Sequence, residues 1–149
     1  MAELNSLRID QNKANDGVWE PYGGTDFECK IARTGNQRYQ QEVTKLRQDR
    51  RVRRALSSND INERQQALAP LIAKYILVDW RGLTSKGKEV PYSEAKAAEM
   101  LASPDFQDLF LWVVTVSGDG ELYRVDLEED DQGNLSNASN GTSDTVIQS

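Results

Sequence analysis

The stretch Tyr75-Ile76-Leu77-Val78-Asp79-Trp80-Arg81-Gly82-Leu83 constrains the fold of this chain more than any other. An apolar helical pattern enters it from Ala67, Leu68, Leu71 and Ile72, reaches Tyr75, Ile76 and Trp80, and stops at Gly82. The pattern predicts a helix over 61–80 whose apolar face Trp80 closes. Asp60 followed by Glu63 has the spacing of a capping box at its start, and Pro70 predicts a kink or a fresh helical start inside it. Gly82 and Gly87 are turn positions, so the chain reverses there before Val90-Pro91-Tyr92-Ser93 launches the next helix.

Upstream, Val18 to Tyr22 is a short extended run closed by Gly23-Gly24. Phe27, Cys29 and Ile31 then alternate with Asp26, Glu28 and Lys30, the period of a half-buried strand. The two runs predict a β-hairpin over 17–32, which must pack against something because a lone hairpin is only marginally stable. Tyr39, Val43, Leu46, Val52 and Leu56 recur at spacings near four and three, predicting one helix over about 36–56. Ser93 caps an alanine-rich helix over 93–102, and Ser103-Pro104-Asp105 opens the most apolar helix of the chain over 105–117. Leu122 to Leu127 fits a strand or a last helical turn. The expected fold is α+β, mainly α: a short N-terminal hairpin followed by about four helices in one globular domain over 17–127. A polar, loosely ordered arm over 1–16 precedes it, and a disordered acidic tail over 128–149 follows.

The residue inventory narrows the chemistry. The 149 residues include no histidine and one cysteine, so the commonest general base and the usual zinc ligand sets are missing. No phosphate-binding loop, dinucleotide fingerprint or nucleophile elbow occurs. The chain therefore reads as a non-enzyme without cofactor or metal. A lone Cys29 cannot form an internal disulfide and fits a small buried strand residue. No apolar run approaches the ~18 residues of a membrane span. The first sixteen residues lack the apolar stretch of a secretion signal, so a cytoplasmic protein is expected.

Charge is unevenly spread within the net −6. Lys30 to Leu56 holds nine basic residues against Glu42 and Asp49. Asp119 to Ser149 holds eight acidic residues against Arg124. The arginines at 47, 50, 51, 53 and 54 are the candidate polyanion contacts, either for nucleic acid or for the acidic tail. No recognition helix, RNA-binding signature or interleaved aromatic set accompanies them, which disfavours sequence-specific nucleic-acid binding.

The order of these features resembles the tail assembly chaperones of tailed bacteriophages. It is carried, over roughly 17–123, by the Gly23-Gly24 hairpin with Ile31-Ala32-Arg33, and by the Asn36-to-Tyr39 helix start. It continues through Val78-Asp79-Trp80-Arg81-Gly82-Leu83, the Gly87-to-Ser93 turn, the alanine-rich helix, the aromatic helix after Pro104 and the acidic tail. The resemblance implies a non-catalytic protein of the host cytoplasm, absent from the mature virion. It would bind the tape-measure protein, keep it soluble and help recruit tail-tube subunits; self-association is compatible with it. Candidate contact residues are Tyr75, Trp80, Phe106, Leu109, Phe110 and Trp112, each of which core packing would equally explain. The alternatives are a structural virion component for tail completion or head–tail joining, and a nucleic-acid-associated protein using the arginine-rich helix.

Overall fold

The computed structural model describes residues 1–127; the 128–149 segment, with its expected disorder, lies outside the described residues. After a 3-10 turn at Leu4–Leu7, Asp10 starts the first helix by accepting the N–H groups of Asn12 and Lys13, giving α1 (Gln11–Asp16). Gly17, at φ +96°, redirects the chain into β1 (Val18–Pro21), and β2 (Glu28–Ile31) returns antiparallel to it. Asn36 caps α2 (Gln37–Leu46) through the Tyr39 N–H, and Asp49 caps α3 (Arg50–Leu56) through the Arg51 N–H. Asp60 caps α4 (Ile61–Tyr75), after which β3 (Leu77–Arg81) pairs antiparallel with β2. The small hairpin β4 (Thr84–Ser85) and β5 (Lys88–Glu89) leads to α5 (Glu94–Ala102), capped by Ser93. A 3-10 turn at Pro104–Phe106 opens into α6 (Gln107–Ser117), and a last one spans Gly120–Tyr123.

The architecture is α+β and mainly α, with β2 central in a sheet of order β1-β2-β3. Three expected boundaries are corrected. The helix predicted over 61–80 ends at Tyr75, and Leu77 to Arg81, Trp80 included, form a strand. The reason is tertiary: a two-stranded hairpin would leave one edge of β2 unpaired. The Ile76-Leu77-Val78-Asp79-Trp80 run is rich in β-branched and aromatic residues that suit that edge. Cys29 pairs with Trp80 and Ile31 with Leu77, around an irregularity between Lys30 and Ile31. The helix predicted over 36–56 is two helices, because Asp49 turns its carboxylate onto the Arg51 backbone N–H and caps a second one. Pro70 breaks nothing: α4 runs through it, with the proline on the exposed side.

The segment expected as a loosely ordered arm is helical from Gln11 and docked. Ala14 is buried, its carbonyl accepts the Arg33 N–H, and Ile9 bridges to Arg124. Inside, α4 packs most extensively on α5, where Ala69, Ala73 and Ala97 are fully buried and let the helices approach closely. Buried Gln65 on α4 donates to the Leu101 and Ser103 carbonyls at 3.0 and 2.9 Å, satisfying the end of α5. The Tyr123 hydroxyl donates to the Ile31 carbonyl at 2.9 Å, tying the last turn to the sheet.

Candidate interaction surfaces

The structure sorts the six apolar candidates into three environments. Trp80, Leu109 and Phe110 are core residues. Trp80 donates its indole N–H to the Val90 carbonyl at 2.9 Å and meets Phe27 and Tyr92 edge-on, at centroid distances of 6.2 and 5.0 Å. The Tyr92 hydroxyl in turn reaches the carbonyls of Ala73 and Leu77, which fixes the wall behind Trp80. Tyr75 and Trp112 are half-buried; Trp112 packs edge-on against Tyr22 at 4.9 Å, and Tyr75 sits under the Lys74 ammonium. Of the six, only Phe106 is exposed, at 41%.

Sequence reasoning missed two further exposed apolar residues, both on α6. On α6, Leu109, Phe110, Val113 and Ser117 point inward, whereas Leu111 and Val114 are exposed at 43% and 37%. Their spacing of three places them on one strip of the helix. The signal was in the sequence: a helix apolar on every side keeps a dry outer face only if something covers it.

Phe106 also rims an open cleft of about 490 Å³ between the β1–β2 turn, the base of the β4–β5 hairpin and the α5–α6 corner. Tyr22, Phe27, Leu83, Met100 and Leu109 contribute apolar surface to it, and Asp26, Asp105 and Asp108 give it a negative rim. Among the described residues none of these three carboxylates forms an ion pair.

The arginines form a separate surface. Val52, Ala55 and Leu56 are the part-buried positions of α3, which lies on α4, while Arg50, Arg51, Arg53 and Arg54 are exposed, as is Arg47 at the end of α2. None of the five has an ion-pair partner among the described residues. The one cysteine is unsuited to nucleophilic work: burial pushes the Cys29 thiol up to about 12, so it is protonated at neutral pH. Among the described residues no group of three or more His, Cys, Asp or Glu side chains could hold a metal ion. No helix among them is long and apolar enough to cross a membrane.

With these surfaces in view, comparison with known proteins supplies the affiliation. The family model of the YdaY prophage protein matches residues 31–134. The chain belongs to the YdaY prophage protein family. It is thus phage-derived, and the match runs from the end of β2 through every later element of the fold, with the candidate strip, most of the cleft and the arginines inside it. No curated protein and no solved structure matches the chain.

Proposed function

We propose that this phage-derived chain is a non-catalytic tail assembly chaperone, working without cofactor in the host cytoplasm and leaving before the virion matures. It binds the tape-measure protein, keeps that long helical partner soluble and helps recruit tail-tube subunits. The observation that carries the reading is the uncovered apolar strip of α6, formed by Leu111 and Val114. A helical partner presents apolar side chains at spacings of three and four, and such a ridge fits a strip of the same spacing. The strip is small and flanked by the charged Asp105 and Asp108, which suits reversible covering of a partner better than a permanent interface. The order of sequence features shared with tail assembly chaperones supports the same reading.

The test is co-expression with the tape-measure protein of the same prophage. Wild type should move that protein into the soluble fraction, and Leu111→Asp/Val114→Asp should fail to do so while melting within a few degrees of wild type. A tape-measure protein equally insoluble with and without the wild-type chain would end the chaperone reading. Mass spectrometry of purified particles separates the structural-component alternative, which requires stoichiometric presence in the virion.

A second reading has its own observation, the exposed arginines of α2 and α3, which have no ion-pair partner among the described residues. Retention of nucleic acid at low salt, lost steeply as salt rises, would favour it over the chaperone function.

A further inference from the structure

The N-terminal arm carries apolar side chains that nothing among the described residues covers. Beyond the point where Ile9 bridges Arg124 and the Asp10 N–H meets the Tyr123 carbonyl, Leu4 is 74% exposed and Leu7 62%, with Arg8 beside them. Two leucines on one short 3-10 turn, next to a cation, form an apolar plug with a positive neighbour. The cleft beside Phe106 is its chemical complement: an apolar floor of Phe27, Met100 and Leu109 under the carboxylates of Asp26, Asp105 and Asp108.

Plug and cleft lie at opposite ends of the β1–β2 hairpin. The arm enters through α1 and Gly17 at the start of β1, and the cleft is built on the turn that follows Pro21. Four residues of strand separate those ends by roughly 13 Å. We propose that the cleft receives Leu4 and Leu7 of a second copy of this chain, with Arg8 paired to the cleft's carboxylates. Because two different patches meet, the contact is heterologous: each copy gives an arm to one neighbour and accepts an arm from another, and assembly continues until a ring closes.

Burying two leucines drives such a contact, and the charge pair sets its orientation and makes it weaken with salt. The inference is independent of the chaperone reading, since it concerns the purified chain alone.

Sedimentation velocity over a wide concentration range tests it with three variants. Leu4→Asp/Leu7→Asp lacks the plug; Phe106→Asp and the surface pair Asp105→Lys/Asp108→Lys each spoil the cleft without touching a buried side chain. Wild type should grow in mass with concentration, and each variant alone should lose at least tenfold in association. The deciding experiment mixes the plug variant with a cleft variant. One retains a working cleft and the other a working plug, so the mixture should form a one-to-one pair that grows no further. Wild type that stays monomeric throughout, variants that associate like wild type, or a mixture that remains monomeric would each overturn the proposal.

Discussion

Gly82 offers the sharpest quantitative test of the fold. It sits directly after β3 at φ +77°, and a Cβ placed there would overlap the Asp26 carbonyl oxygen and lie 2.9 Å from the Asp26 carbonyl carbon. Both obstacles are backbone, so no side-chain rotation relieves them. Gly87 is the internal control: its φ is +80°, but nothing lies within 4 Å of the added carbon. Gly87→Ala therefore reports the left-handed conformation alone, about 1–2 kcal/mol. Gly82→Ala adds displacement of the turn before β2, where buried Phe27 leans on Trp80, an overpacking cost of about 1–3 kcal/mol. The total is about 2–5 kcal/mol, a large share of the 5–15 kcal/mol typical of a domain. At ~4 °C per kcal/mol, thermal melting followed by circular dichroism should drop by ~8–20 °C for Gly82→Ala and ~4–8 °C for Gly87→Ala. Equal losses for the two variants would refute the close approach of β3 to the β1–β2 turn.

Other consequences are smaller in scope. Gln65→Ala removes the side-chain donor of the Leu101 carbonyl and one of the two donors of the Ser103 carbonyl and opens a cavity between α4 and α5, so urea unfolding should show a loss of about 2–4 kcal/mol. Burial raises the Cys29 thiol from 9.0 to about 12 and the Tyr92 phenol from 10.0 to about 12, so the folded state holds protons that the unfolded state releases. Stability is thus at its full value below pH 9 and falls above it, by up to ~1.4 kcal/mol per pH unit for each group in its window. Cys29→Ala should flatten the pH 9–10 part of that decline in denaturant titrations, and an unchanged slope would contradict the assignment. Replacing Arg50, Arg51, Arg53 and Arg54 by Gln removes only exposed side chains without an ion-pair partner among the described residues, so melting should move little. Heparin retention should fall if that face is the polyanion surface.

Legibility followed how local the cause was. The hairpin strands, the Ser93 and Asp60 caps and the apolar α6 were readable because a few neighbouring residues determine each. Trp80 was misplaced because its apolar spacing fits helix and strand alike, and the free edge of β2, distant in sequence, decided between them. Asp49 was visible as a helix residue but not as a cap, since capping shows only where the chain bends. The arm looked too polar to order, yet a single buried Ala14 and three backbone hydrogen bonds to distant residues hold it. For the candidate surface, large apolar side chains were easy to find, but inward and outward positions on α6 depend on where the sheet and α4 lie. The all-round apolar α6 signalled an outer apolar face, but that Leu111 and Val114 form it was settled only once the helix was oriented.

Hydrogen exchange on the purified chain, with and without a soluble helical segment of the tape-measure protein, tests the central claim most directly. The chaperone account predicts slowed amide exchange concentrated on Phe106 to Val114, lost in Leu111→Asp/Val114→Asp. Protection confined to the arginines of α3, or no change anywhere on saturation with the segment, would contradict it.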